Sequence, residues 1–225
     1  MNKKAIILFS GGLDSTTCLA IAQSQGYSCY ALSFRYGQKH QIEVERAKSI
    51  AKQYGVIEHK FFSLPLDDIR GSSLTDVAIA VPDYLETSEI PNTYVPARNT
   101  IFLSFALAWA EVIGAKDIFF GANHLDYSGY PDCRPDYLHA FEKLAKLATK
   151  VGIEDNTQFK LHAPLLYLNK VEIIREGMRL GIDYGQTISC YRADDRGRAC
   201  GNCASCTYRK KGFAEASIMD PTDYL

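Results

Sequence analysis

Short apolar runs alternate along the chain with longer stretches in which apolar residues recur every three or four positions. The runs at residues 5–9, 30–34, 59–63 and 117–120 have the length of buried strands. Between them, residues 14–25, 41–54 and 99–113 read as helices. In 41–54, Ile42, Ala47, Ile50 and Ala51 share one side, with Glu and Lys facing out. A further helix begins near Pro135 and closes over 143–150. Another covers 169–180, with Asn169 as its N-cap and Gly181 as its stop. Residues 64–96 are irregular and rich in Pro, Asp, Ser and Thr, the type of long loop that forms lids or binding segments. From Ser189 onward a cysteine-rich knuckle is followed by a short helix. Strands alternating with helices predict an α/β fold, a doubly wound parallel sheet with helices on both faces. Ligands of such sheets sit beyond the carboxyl ends of the strands. With no repeat, low-complexity tract or linker, residues 1–225 read as one domain, with 189–213 an integral metal-binding segment.

Composition adds limits. The 225 residues are 47% hydrophobic and 23% charged, with a net charge of −1 and a pI near 6.5. That is ordinary globular composition and gives no polyanion-binding surface, so no nucleic-acid partner is expected. Lys3 and Lys4 precede an apolar run that is interrupted by Ser10, too short for the roughly 7–15 apolar residues of a signal peptide. Residues 100–114 are apolar but fall short of the about 20 needed to span a bilayer, and contain Glu111. The expectation is a soluble, cytoplasmic protein without a membrane partner.

The densest chemical signal is SGGLDST at 10–16. An apolar strand runs into two glycines, which let the backbone turn tightly and approach a ligand. Asp14, Ser15 and Thr16 can cap the helix start, where free N–H groups and the helix dipole favour an anion. A strand, an anion-cradling loop and a helix N-terminus suit phosphate. The segment is neither Walker A nor the G-x-G-x-x-G dinucleotide turn. It resembles the pyrophosphate-binding (PP) loop of the ATP pyrophosphatase superfamily, whose members cleave ATP to AMP and pyrophosphate. That resemblance implies nucleotide contacts from Leu8, Phe9, Ser10, Gly11, Gly12, Leu13, Asp14, Ser15, Thr16, Thr17 and Cys18.

Four of the seven cysteines follow the spacing Cys190-x9-Cys200-x2-Cys203-x2-Cys206. An odd total clustered in this way argues against a secreted disulfide framework and suits a metal site in a reducing compartment. Each x2 step brings two thiolates onto one ion, Gly201 frees the backbone, and Cys190 closes the tetrahedron. Four thiolates fit structural Zn²⁺; an iron–sulfur cluster and a redox C-x-x-C pair are the alternatives. Arg192, Arg196, Arg198, Arg209, Lys210 and Lys211 surround the cluster. They are either a solvated surface or contacts to phosphate or carboxylate. Cys18 and Cys29 fit buried positions.

Two further segments point at the same sheet edge. In 94–100, Arg98 precedes Asn99, a good N-cap, and an arginine there makes forked bonds to phosphate or carboxylate unless it is simply a surface residue. The loop 121–134 packs Asn123, His124, Asp126, Tyr127, Ser128, Asp132 and Arg134 after the fourth strand. It is too polar and aromatic for a plain connector and could read a planar heterocycle by stacking and edge hydrogen bonds, or be a buried polar loop.

With these segments in place the chain is similar to the 7-cyano-7-deazaguanine synthase family of queuosine biosynthesis. The resemblance rests on SGGLDST (10–16), FRYGQKH (34–40), YVPARNT (94–100), GANHLDYSGYPDCRPDY (121–137), the segment 164–173 and SCY…CGNCASC..R..GF (189–213), and so spans nearly the whole chain. It implies an adenine-nucleotide α-hydrolase-like fold and an ATP-dependent ligase. Such an enzyme converts 7-carboxy-7-deazaguanine and ammonia to the nitrile through an adenylated carboxylate, an amide and an adenylated amide, releasing AMP and pyrophosphate. Mg²⁺ would bridge the phosphates. Asp14 would cap the helix and help hold Mg²⁺. Arg98, Lys39 and Lys170 would neutralise developing charge, although both lysines also read as ordinary helix-end residues. Asp126 and Asp132 would accept from the guanine-like edge. Zinc on four cysteines has no open position and is structural. A homodimer follows by analogy only. The rival readings are a tRNA-modifying PP-loop enzyme (thiolation or lysidine-type ligation), a synthetase making NAD or GMP, and a non-enzymatic zinc-knuckle module.

Overall fold

The computed structural model describes residues 3–36, 41–85, 90–123 and 130–225, with only the backbone of Gln41. Five parallel strands form one sheet in the order β3-β2-β1-β4-β5. They are β1 (Lys3–Leu8), β2 (Tyr27–Arg35), β3 (Glu58–Ser63), β4 (Asp117–Phe119) and β5 (Lys160–His162). Seven α-helices accompany them among the described residues: α1 (Leu13–Ser24), α2 (Gln41–Gln53), α3 (Arg98–Ile113), α4 (Pro135–Ala148), α5 (Lys150–Glu154), α6 (Lys170–Arg179) and α7 (Ala204–Ala216). None is long and apolar enough to cross a membrane.

The period-two alternation of the strands divides the core. Ala5, Ile7 and Phe9 face α1 and α2, packing with Leu19, Ala22, Ala47 and Ile50. Ile6, Leu32 and Ile118 face the other way onto α3 and α4, through Leu103, Ala106, Leu107 and Phe141. Outboard of α1, Ala20 and Ile21 meet Ile173 and Ile174 of α6 and Phe213 of α7 in a third cluster. Gly177 of α6 admits Tyr184 here, since a Cβ would fall 1.8 Å from the Tyr184 hydroxyl.

The four expected strands and the expected helices form, with small shifts at their ends. Asn169 caps α6 as expected, in a reciprocal pair with Glu172, and Gly181 follows at φ +79°. Described residues of 64–96 before α3 contain no helix or strand. The sequence reading missed β5, whose three residues are too few to show a period. It also misplaced two caps. Asn99 lies inside α3, whose N-cap is Ala97 in the left-handed region at φ +53°, and Gly12, not Asp14, Ser15 or Thr16, precedes α1.

The order reverses beside β1, which pairs with β2 on one side and β4 on the other. Loops leaving β1 and β4 therefore part at their carboxyl ends and open a crevice, as in other doubly wound sheets.

Candidate active site

A cleft of about 820 Å³ occupies that crevice. Its floor is the turn after β1. The Ser10 N–H donates to Ser15 Oγ (3.2 Å), the Gly12 N–H donates to Ser10 Oγ (3.2 Å), and the Ser15 hydroxyl donates to the Gly12 carbonyl (3.1 Å). These bonds fix the loop from within. Gly11 turns at φ +78° and packs against α2, so close that a Cβ would lie 2.9 Å from Ala47 Cα. N–H groups in the first turn of α1 have no acceptor within the helix. One of them, on Leu13, donates to Ser189 Oγ at 3.1 Å, a bond that joins positions 176 residues apart. The N-terminus of a twelve-residue helix thus opens on the cleft and favours an anion.

The other walls come from distant segments. Phe120 to Asn123 follow β4, and Gly121 lies against Asp14, where a Cβ would stand 3.2 Å from the Asp14 carbonyl carbon. Asn123 is buried and donates to the Leu168 carbonyl at 2.8 Å. Arg98, at the start of α3, lies near the Tyr36 and Phe102 rings and donates to the Tyr36 hydroxyl at 3.4 Å. Removal from water opposes its charge, but Tyr36, Tyr130, Tyr191 and Asp132 outweigh that and hold its pKa above the ordinary arginine value. Residues 73–74 and 77–81 also line the cleft, and 188–192 line it next to Cys190 of the cysteine cluster.

Asp14 lines the cleft but does not cap α1. Its carboxylate pairs with Lys170 Nζ at 2.8 and 3.1 Å, and Lys170 is 8% exposed. The lysine stem passes Gly212 of α7, where any Cβ would meet it at 2.5 Å. Leu8, Phe9, Ser10, Gly12, Leu13, Ser15, Arg98 and Asn123, all candidates in the sequence, also line the cleft. Gly11 does not, and neither do Thr16, Thr17 and Cys18. Thr17 bonds to the Tyr184 hydroxyl at 2.8 Å, and Cys18 is fully buried between α1 and the sheet, where desolvation raises its thiol pKa far above the usual value. Helix geometry turns these side chains inward while Asp14 and Ser15 remain at the loop.

Asp132 is not a lining group either. It is 6% exposed, and its carboxylate accepts the Asn99 N–H at 3.0 Å, which supplies α3 with the cap that Ala97 lacks. Asp132→Ala is expected to remove about 1 kcal/mol and lower the thermal midpoint by roughly 2–4 °C, measured by calorimetry. An unchanged midpoint would mean the bond contributes nothing. Arg134 is exposed at the N-cap position of α4, outside the cleft. Cys133 does line it, but burial pushes its thiol up to about 12, which makes it a poor nucleophile. Lys39, His124, Asp126, Tyr127 and Ser128 lie outside the described residues.

Among the lining groups that the sequence reading did not single out are Glu43 and Ser189. Glu43 carried a signal, since it falls on the apolar side of α2, four residues before Ala47.

Cys190, Cys200, Cys203 and Cys206 bring their sulfurs within 4.8 Å of one another, with Cys200–Cys206 at 3.9 Å and Cys190–Cys203 at 4.0 Å. Tetrahedral bonds of 2.3 Å to one ion place sulfurs about 3.8 Å apart, so the set fits a metal such as zinc. Backbone N–H groups of Arg192 and Cys200 donate to Cys190 Sγ, each at 3.2 Å, and favour thiolate there. Of the surrounding cations, Arg209 is buried and bonds to Thr187, the Tyr184 carbonyl and Asp220, a structural role. Arg198 pairs with Asp194 and Lys210 binds the Gly201 carbonyl. Arg192 alone of the six reaches the cleft. It bonds to the Val81 carbonyl, Asp83, Asn202 and Cys200 Sγ, while the Tyr84 N–H donates to the Asn202 carbonyl. The knuckle therefore holds the 81–84 side of the cleft as well as Ser189 at its floor.

The model of the family described as "Queuosine biosynthesis protein QueC" matches residues 4–217. The chain belongs to the QueC family. One QueC relative, the 7-cyano-7-deazaguanine synthase of Nitrosococcus oceani, is 59% identical over 221 residues, 98% of each chain. The 7-cyano-7-deazaguanine synthase of Stutzerimonas stutzeri is 58% identical over 223 residues, 99% of each chain. Among solved structures, a 4-thiouridine synthetase–RNA complex with bound ATP aligns with a TM-score of 0.52 at 20% identity, over 96% of this chain and 50% of the other. That likeness extends to the fold alone. QueC membership makes the chain an enzyme of queuosine biosynthesis, built on the expected parallel sheet and carrying a four-cysteine cluster able to hold a metal.

Proposed function

We propose that this chain converts 7-carboxy-7-deazaguanine and ammonia to 7-cyano-7-deazaguanine with two ATP, each cleaved to AMP and pyrophosphate. The observation that carries the reading is 58–59% identity, over nearly full length, to proteins bearing that activity as their name. Geometry supports it: the cleft pairs a helix N-terminus with apolar walls wide enough for a nucleotide beside a planar base.

In this reading the first-turn N–H groups of α1 and the hydroxyls of Ser10 and Ser15 hold the β- and γ-phosphates, and Gly11 and Gly12 let them approach. The substrate carboxylate attacks the α-phosphorus, and pyrophosphate leaves. Arg98 stabilises the charge that develops on the carboxylate and phosphoryl oxygens. Ammonia then attacks the acyl carbon, AMP departs, and the nitrogen gives up a proton to form the amide. In the second round the amide oxygen is adenylated; loss of AMP and of both N–H protons leaves the nitrile. Lys170 acts through Asp14, fixing its carboxylate at the loop. Lys39 adds positive charge, and Asn123, His124, Asp126, Tyr127 and Ser128 read the base. Cys190, Cys200, Cys203 and Cys206 hold a structural Zn²⁺, which supplies cross-linking and no open coordination position. Residues 1–225 act as one cytoplasmic domain, in a homodimer, without a nucleic-acid partner.

The test is incubation of the pure protein with ATP, Mg²⁺, ammonium and 7-carboxy-7-deazaguanine, followed by mass spectrometry. AMP, pyrophosphate and the nitrile are expected, with two AMP per nitrile. ADP, or AMP without nitrile, would overturn the reaction as written. Elemental analysis should give one zinc per chain.

A further inference from the structure

Glu43 is an acid on the buried side of a helix. It shares a face of α2 with Ala47, Ile50 and Ala51, at spacings of four, seven and eight residues. Ala47 is the residue that Gly11 packs against. One turn before it, the Glu43 side chain lines the cleft beside the phosphate loop.

Among the described residues, the other charged groups of that cleft have partners. Asp14 is paired with Lys170, Arg192 with Asp83, and Arg98 with the Tyr36 hydroxyl. Glu43 has no hydrogen bond or ion pair to a described residue, and withdrawal from water alone pushes its carboxyl up to about 7. A bare carboxylate next to a bound triphosphate would be repelled further. A divalent cation between them removes both penalties. Mg²⁺ takes one or two carboxylates together with phosphate oxygens and keeps several waters.

We propose that Glu43 is the protein ligand of the divalent cation that accompanies ATP in this cleft. The proposal rests on the reading of the loop after β1 as the site of the triphosphate. It shifts the metal from Asp14, whose carboxylate is committed to Lys170, to α2, the helix that packs on Gly11.

The experiment is calorimetric titration of ATP into zinc-loaded protein, wild type and Glu43→Gln, with and without Mg²⁺. For the wild type, Mg²⁺ should tighten ATP binding roughly tenfold or more. Glu43→Gln should bind ATP more tightly than wild type in the absence of Mg²⁺, because a repelling charge is gone, and should lose most of the Mg²⁺ enhancement. Glu43→Asp, with a shorter reach, should fall between them and serves if the Gln variant does not fold. Electron paramagnetic resonance of Mn²⁺ with ATP should show a narrower change on protein binding in Glu43→Gln than in wild type. Equal Mg²⁺ enhancement in wild type and Glu43→Gln would overturn the proposal and leave the ATP site standing. Wild type that binds no ATP under either condition would overturn the ATP site, and the proposal with it.

Discussion

Stripping the metal from the four-cysteine knuckle is expected to abolish tight ATP binding, although no cysteine sulfur belongs to the phosphate loop. Structural zinc contributes an apparent free energy of about 10–16 kcal/mol in small zinc peptides. Loss of a metal from this site leaves four thiols crowded within 4.8 Å. Cys190 is bonded to Ser189, whose hydroxyl accepts from the first N–H of α1, and Arg192 two residues on holds Val81 and Asp83. Release of this strand frees the floor and one wall together. A zinc-selective chelator, or Cys203→Ser, should weaken ATP binding more than about tenfold and lower the thermal midpoint by more than roughly 10 °C. Scanning calorimetry and ATP titration on protein assayed for zinc would check this. Full ATP affinity in protein shown to be zinc-free would break the proposed linkage.

Gly11→Ala is the second large effect. The left-handed backbone at φ +78° costs an L-residue about 1–2 kcal/mol. Its Cβ would also stand 2.9 Å from Ala47 Cα and 3.1 Å from Ala47 N, both backbone atoms that can yield only if α2 shifts. Forced overpacking of that kind adds about 1–3 kcal/mol. A loss near 3 kcal/mol, a midpoint lower by roughly 6–12 °C and a fall in turnover beyond a hundredfold, about 2.7 kcal/mol of barrier, are expected. Gly26→Ala is the control. It shares the conformation, at φ +81°, but has no atom within 4 Å of the added Cβ. It should lose only the backbone term and keep its turnover. If both variants behave alike, contact with α2 is not what Gly11 provides.

How much of this could be read in the chain depended on the range of the interaction. The strands and helices were visible because side-chain period is a local property, and the N-cap of α6 was visible because Asn169 and Glu172 are three residues apart. The cysteine cluster was visible because its ligands recur at short spacing. Asp132 was not legible as a cap: it serves a helix whose first residue is 34 positions earlier, and its acidic side chain equally suits base recognition. The same holds for Ser189, a small residue whose partner is at the far end of the chain. Lys170 and Asp14 were both picked out, but a sequence gives no sign that two opposite charges neutralise each other. Glu43 was passed over because one acid in a polar helix is unremarkable until the apolar face is known to look into a cleft.

The 3.1 Å bond between Leu13 and Ser189 also sets a timetable for the chain's birth. A ribosome that adds about 5–20 residues per second needs roughly 10–35 s to pass from one partner to the other. By the end of that interval β1, β2 and β4 can already have left the tunnel and paired. The loop after β1, however, waits with its first N–H unclaimed and one wall of its cleft unbuilt. A nascent chain stalled before position 189 thus has its sheet but lacks the bond that ties down the turn after β1.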